Sequence, residues 1–270
     1  MTGQRRRLYH EAIPDYGVPL TEAAGLRRVV ARNPGPMTGH GTNSWLVESE
    51  GGWVVVDPGP DDATHRRAVL DACDGRLRAI LLTHHHKDHD GGTVALAAAA
   101  GAPVHGGHVG APMTDGETLY GLRVVATPGH TMDHVCFDLG EGRLLSGDHV
   151  MGWSTSVVMA PPRGSMGAYL ASLETLRRSA YRTLFSAHGA AITEPDPFLD
   201  GLLHGRRRKI EQAATALTPD WQSAEMLCDR LYSALPEGLR LAAMEMTLAT
   251  LAELEAQGRA IGGDQGWKVA

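Results

Sequence analysis

Arg78-Ala79-Ile80-Leu81-Leu82-Thr83-His84-His85-His86-Lys87-Asp88-His89-Asp90-Gly91-Gly92 is the decisive stretch of this 270-residue chain. Arg78 to Thr83 is a short apolar run suited to a buried strand, and a helix is expected from His89 onward. The frame H-x-H-x-D-H makes His84, His86, Asp88 and His89 candidate metal ligands. Four such residues in six cannot form a core face, because strand alternation would bury some of them without partners. On a loop after a strand they can converge on cations. Imidazole and carboxylate donors together suit zinc, iron or manganese, with zinc the default.

The same design recurs outward from this loop. Upstream, Val56-Asp57-Pro58-Gly59 places a carboxylate after the strand-like run 52–56, itself paired by a Glu50-Gly51-Gly52 turn with the run 42–49. Downstream, Thr127-Pro128-Gly129-His130, Ser146-Gly147-Asp148 and Ala187-His188-Gly189 each put one ligand type past a short apolar strand and beside glycine. Further strands are expected near 103–105, 117–126, 134–140, 143–147 and 182–187. Helices are expected at 61–73 and 165–178, the latter capped by Ser165. Strands alternating with helices, plus the hairpin 134–147, predict a mixed α/β domain.

The character changes after Pro195-Asp196-Pro197, so a catalytic domain over 1–197 and a helical, winged-helix-like C-terminal domain over 198–270 are expected. Leu203, Ile210, Ala213 and Leu217 mark one face of its first helix, with Arg206, Arg207, Arg208 and Lys209 read as a mainly solvated face. Helices near 223–234 and 240–257 and a terminal hairpin follow. From Ala216 onward there are 4 Lys/Arg against 8 Asp/Glu, a net −4 that argues against a phosphate-binding face. The whole chain carries −6, so nucleic acid is not the favoured partner. No apolar run is long enough for a membrane span, and Met1 to Gly17 has no apolar core of a signal peptide. Three scattered cysteines, Cys73, Cys136 and Cys228, fit a reducing compartment; a cytoplasmic protein is expected.

Taken in order, Asp57, His84-x-His86-x-Asp88-His89, His130, Asp148 and His188 resemble the five motifs of the metallo-β-lactamase superfamily of hydrolases. The resemblance covers about residues 30–190. It implies a four-layer αβ/βα sandwich with a dinuclear zinc site at one sheet edge. By that resemblance His84, His86 and His130 hold one metal, Asp88, His89 and His188 hold a second, and Asp148 bridges them. Asp57 would fix the His loop by hydrogen bonds. A narrower resemblance, to the lactamase-beta-2-like branch, rests on Asn33-Pro34-Gly35-Pro36-Met37-Thr38, Gly41-Thr42-Asn43, Thr127-Pro-Gly-His-Thr-Met-Asp-His134 and the C-terminal extension. That branch often carries a His-Arg-x-x-Arg-Glu segment, where this chain reads His204-Gly-Arg-Arg-Arg208-Lys209.

Two cations about 3.5–4 Å apart can share a hydroxide and lower the pKa of water to near 7. The implied activity is therefore hydrolysis by a metal-bridging hydroxide. A small ester, thioester, lactone or amide is the favoured substrate, with promiscuous β-lactam cleavage as a side activity. An endoribonuclease is the runner-up; the only dense basic patches are Arg5–Arg7 and Arg206–Lys209. A persulfide dioxygenase with one iron and a winged-helix regulator with a degenerate metal domain are further readings. Asp57, Asp88 and His134 are the expected catalytic set. For His134 a role near substrate and an ordinary structural role are equally open. His85 and Lys87 are expected on the solvated side of the loop, His149 in a structural role, and Met151, Trp153 and Met159 at the mouth or in the core. A homo-oligomer is compatible with the sequence.

Overall fold

Apolar residues occupy both faces of the central strands, and the chain covers both. The computed structural model describes residues 8–270, so the basic run Arg5–Arg7 lies outside the described residues. The first sheet holds β1 (Leu20–Ala23), β2 (Leu26–Val30), β3 (Asn43–Ser49), β4 (Gly52–Val56), β5 (Leu77–Leu81) and β6 (Val104–His105), in that spatial order. Helices α1 (Ala63–Ala72), α2 (Lys87–Asp90) and α3 (Thr93–Ala100) connect its later strands. The second sheet is ordered β11-β10-β9-β8-β7, from β7 (Thr118–Leu119), β8 (Leu122–Ala126), β9 (Val135–Gly140), β10 (Arg143–Gly147) and β11 (Thr183–Ser186). Helix α4 (Met166–Arg178) crosses from β10 to β11.

Strand alternation explains how these elements stack. Trp45 and Val47 on β3, Val54 and Val56 on β4, and Leu81 on β5 face inward. They meet Leu122, Val124, Val135, Phe137, Leu145 and Phe185 from the second sheet. The neighbours between them, Leu46, Val55 and Ile80, face outward onto Val69 and Ala72 of α1 and Leu96 of α3. On the far side Leu144 and Leu184 pack on Tyr169, Leu173 and Leu176 of α4. Each such large side chain, fully buried, contributes roughly 1.5–3 kcal/mol. The result is the expected αβ/βα sandwich. Asp62 caps α1 by accepting from the Thr64 and His65 amides, and Ser165 caps α4 by accepting from that of Ala168.

The C-terminal segment comprises α5 (Pro195–Ala216), α6 (Ala224–Leu231), α7 (Arg240–Ala256) and the hairpin β12 (Ala260–Gly263) with β13 (Gly266–Val269). Pro195 and Pro197 stand in the first turn of α5, so the expected boundary after 197 falls inside that helix. Phe198, Leu202, Met246 and Leu254 share one apolar cluster with Tyr169 and Leu173 of α4. Three differences from expectation have physical causes. The run 117–126 is a hairpin of β7 and β8, turned at Tyr120 and Gly121, both of positive φ. Strands β1 and β2 lie outside the expected elements, because Arg27 and Arg28 interrupt the apolar pattern. Arg206 is buried, not solvated; its guanidinium donates to the Ser156 carbonyl. Among the described residues no helix is long and apolar enough to cross a membrane.

Pairing directions place the ligand candidates. β4 and β5 run parallel, as do β10 and β11, and β8 and β10 flank β9 antiparallel. The carboxyl ends of β4, β5, β8, β10 and β11 are therefore the ends that carry Asp57, the His loop, His130, Asp148 and His188.

Candidate metal centre

The His loop is positioned from beneath by Asp57. Its carboxylate accepts from the Thr83 amide at 2.8 Å, the Thr83 hydroxyl at 2.8 Å and His89 Nδ1 at 2.9 Å. Since the Thr83 hydroxyl donates to Asp57, it is left to accept from His84 Nδ1, 2.9 Å away. Asp57 thus fixes two imidazoles, one directly and one through Thr83. His130 Nδ1 donates to the Val157 carbonyl, and His188 Nδ1 donates to the Gly41 carbonyl at 3.1 Å. In all four rings Nδ1 is spoken for and Nε2 is turned to a common space. That is the tautomer a metal-bound histidine needs, with its second nitrogen donating to protein oxygen.

Two poles result. In the first, His84 Nε2 stands 2.9 Å from His86 Nδ1, and His130 Nε2 stands 3.3 and 3.1 Å from them. Donors held 2.0–2.1 Å from a tetrahedral zinc lie about 3.3 Å apart. In the second, His89 Nε2 is 3.5 Å from Asp88 Oδ2, and His188 Nε2 is 3.4 Å from the same oxygen. Asp148 Oδ1 lies 3.5 Å from His89 and 3.2 Å from His188, while its Oδ2 lies 3.8 Å from His130. All seven sequence-predicted ligand candidates therefore meet, and three overlapping groups of them have ligand atoms within 4.8 Å of one another.

The donor set fits cations. Three neutral imidazole nitrogens crowd together in the first pole with lone pairs and only protons to separate them. In the second, His89 Nε2, His188 Nε2 and Asp148 Oδ1 are buried with no hydrogen-bond partner. Buried polar atoms are normally satisfied, so three unpartnered atoms aimed at one space fit a bound cation. The electrostatics differ between poles. Burial pushes His86 down to about 4, and burial with its imidazole neighbours pushes His84 further below the usual range. Burial also pulls on His188, but Asp148 and Asp88 outweigh it and raise the ring to about 9. The reciprocal effect of His89 and His188 overcomes burial and lowers Asp88 to about 2.

His134 is buried below this set. Its Nδ1 bonds the Thr127 hydroxyl at 2.8 Å, and its Nε2 accepts from the Asp148 amide at 3.2 Å. Both nitrogens are therefore engaged by protein, and the ring holds Asp148 in place. Gly147, with φ 51, lets β10 end there: a Cβ would stand 2.6 Å from His134 Nε2. Gly129, beside His130, has φ 148 and passes so close to α4 that a Cβ would meet Tyr169 Cα at 2.3 Å. His149 is buried against the Tyr169 ring, a packing position. His85, expected on the solvated side, is three-quarters buried: it pairs with Asp133 at 2.8 Å and its ring lies edge-on to His86. Trp153 packs on Gly39 and Gly189 beside His188. Sequence reading missed Thr83, whose place between Asp57 and the first histidine was the available signal. It also missed the Gly41 and Val157 carbonyls, which carry no residue-type signal.

Comparison with known proteins agrees with this geometry. Residues 37–123 match the family model of the metallo-beta-lactamase superfamily. A beta-lactamase-like protein 2 homolog of Drosophila melanogaster is 29% identical over 265 residues, covering 86% of this chain and 88% of that protein. Lactamase-like protein nscB of Neosartorya fischeri is 31% identical, covering 79% and 68%. An atrochrysone carboxyl ACP thioesterase of Aspergillus novofumigatus is 30% identical over 70% of this chain, which spans 62% of that protein's length. Among solved structures, a metallo-beta-lactamase family protein of Thermus thermophilus superposes with a TM-score of 0.80 at 22% identity, covering 93% of this chain and all (100%) of that one. TTHA1623, solved in a di-iron-bound form, superposes at 0.53 with 28% identity, covering 66% and 96%. A shared sandwich, five motif pieces at one edge of its two sheets and sequence likeness over most of its length together make this chain a hydrolase of the metallo-beta-lactamase superfamily.

Proposed function

We propose that the chain is a dinuclear zinc hydrolase acting on a small ester or thioester. The observation that carries this reading is the convergence of seven donors, four of them histidines held through Nδ1 by protein, with His89 Nε2, His188 Nε2 and Asp148 Oδ1 buried and unpartnered. His84, His86 and His130 would hold one ion, and Asp88, His89 and His188 the other, with Asp148 shared. When bound, the ion pair supplies an ionised water at neutral pH and positive charge for a developing oxyanion.

The chain's own residues do the rest. Asp57 and Thr83 hold His84 and His89 by Nδ1, so that Nε2 of each ring faces the shared donor space. His134 fixes the Asp148 backbone, which sets where the shared carboxylate points. Asp88, its side chain 31% exposed, stands where solvent and substrate enter, whereas His84, His89 and His188 are sealed. This buried, ordered set needs no reorganisation when substrate arrives. The thioesterase name of one relative supports a thioester over a phosphodiester. So does the acidic C-terminal segment, which lacks the charge that RNA would need.

Elemental analysis of pure protein, run beside a panel of acyl thioesters, lactones, lactams and short RNA, tests the reading. Two zinc ions per chain with thioester or ester turnover are expected. One iron with oxygen consumption would overturn it in favour of a dioxygenase, and RNA cleavage alone would install the endoribonuclease.

A further inference from the structure

Pro36 and Met37, Met151 and residues 154–157 after Asp148, and the C-terminal helices line a half-open cavity of about 140 Å³. Its walls are largely apolar: Met37, Met151, Leu235, Leu239, Ala243 and Met246 line it. Two observations tie it to the metal centre. Val157, in one wall, lends its carbonyl to His130. Pro36 and Met37, in another, begin the loop whose Gly41 carbonyl orients His188. The cavity therefore lies between the two backbone loops that aim histidines from opposite poles.

Its chemistry is that of a hydrocarbon site. The one charged group in the lining, Arg206, is 8% exposed. Its guanidinium is spent on the wall: it donates to the Ser156 carbonyl, points an N–H at Met246 Sδ 3.7 Å away, and lies over the Tyr169 ring. Methionine side chains adapt their shape to apolar guests. An apolar cavity of about 150 Å³ admits benzene, so the apolar part of this one, beside Ser154, Thr155 and Ser156, suits about six carbons.

We propose that this cavity is the acyl pocket of the enzyme, taking an aliphatic or aryl acyl group of about six carbons from a thioester or ester. This rests on the hydrolytic reading above. Water adds its oxygen to the acyl carbon, the carbon–sulfur bond breaks, and the sulfur leaves with a proton as the thiol. The chain of the released acid occupies the cavity.

Acyl-pantetheine thioesters from acetyl to decanoyl, with glutaryl as a charged control, test it on the zinc-loaded protein. kcat/KM is expected to rise about threefold to fourfold per methylene, up to roughly six carbons, and then to stop rising. Ala243→Leu, which fills the cavity, and Met37→Trp, at a position 42% exposed and so tolerant of change, should each lower the hexanoyl-to-acetyl ratio about tenfold. In protein carrying ¹³C-methyl methionine, hexanoate should shift the Met37, Met151 and Met246 signals while acetate leaves them in place. Thioester turnover with a flat chain-length profile, an unchanged ratio in both variants, or a preference for glutaryl over hexanoyl would overturn the pocket while leaving the hydrolase intact. Hexanoate shifts without turnover of any thioester would leave the pocket and overturn the hydrolytic reading.

Discussion

The two poles of the donor cluster share Asp148 yet meet opposite electrostatic demands. The pole of His84, His86 and His130 is all imidazole, and burial holds its rings uncharged. It contains no positive charge of its own. The pole of Asp88, His89 and His188 mixes carboxylate with imidazole, and its carboxylates draw protons onto the rings. Without metal its opposite charges attract across 3.2–3.5 Å, but His89 Nε2, His188 Nε2 and Asp148 Oδ1 make no hydrogen bond; in the first pole His86 Nδ1 can donate to His84 Nε2 at 2.9 Å. The contrast teaches that one cluster can be held by charge at one end and by neutral hydrogen bonds at the other, with a single carboxylate between.

The largest effect should come from the residue the poles share. Asp148→Ala should cost about a thousandfold or more in kcat/KM. Elemental analysis should find at most one ion per chain. Two ions retained with full activity would separate Asp148 from both poles and end the comparison.

Single-pole variants sharpen it. His86→Ala and Asp88→Ala should each lower kcat/KM by roughly a hundredfold or more and remove one ion. Their metal-free stabilities should differ. His86→Ala removes a neutral ring and leaves no buried charge unpaired, so chelated protein should denature at nearly the same urea concentration as the parent chain. Asp88→Ala leaves His89 and His188 short of a partner, and losing one side of a buried pair destabilises by up to about 3 kcal/mol. Equal destabilisation by both would show that the poles are not electrostatically distinct.

Asp57 reaches both poles, through Thr83 to His84 and directly to His89. Asp57→Asn should therefore weaken zinc binding at each by about 10–100-fold, read by competition with a chromophoric chelator. A loss confined to one ion would show that only one of the two hydrogen-bond routes matters.

How much of this was legible depended on range. The His loop announced itself because four donors fall within six residues after an apolar strand, and the lone donors because each follows a strand and neighbours a glycine. Their grouping into poles required the pairing of strands far apart in sequence. Arg206 shows an overlooked local signal. Leu203, Arg206, Ile210, Ala213 and Leu217 follow helical spacing of three and four, which puts the arginine on the apolar stripe; its type alone argued for solvent. What keeps it buried, the Ser156 carbonyl, lies 50 residues away and has no signature in residue type. Strands β1 and β2 were hidden for a related reason. Arg28 breaks the apolar pattern, but in the fold it is buried, bonded to Glu11, Glu22, Asn43 and the Gly189 carbonyl. A charge satisfied at long range reads locally as a solvated residue.

The smallest effect at neutral pH concerns His65, which lies under the mixed pole. It packs beneath Gly59, whose amide donates to the His89 carbonyl and whose carbonyl accepts from Gly92. His65 Nε2 bonds the Ser44 hydroxyl at 2.8 Å, and burial pushes the ring down to about 4, against a small opposing pull from Asp62. The folded chain therefore keeps His65 neutral where the unfolded chain, with an ordinary histidine near 6.5, takes up a proton. More protons on the unfolded state mean that stability falls as pH falls. The loss begins near 6.5, grows by about 1.4 kcal/mol per unit, and levels off below about 4. At pH 5.5 it amounts to about 1.4 kcal/mol, and at pH 7.5 to almost nothing. His65→Gln lacks the titrating group. In chelated protein its unfolding free energy should therefore drop less steeply between pH 7 and pH 5 than that of the parent chain, by about 1.8 kcal/mol. Urea melts at three pH values measure the difference directly. Parallel slopes would mean that His65 is protonated in the fold as readily as in the unfolded chain, and that the ground beneath the mixed pole is wetter than its burial implies.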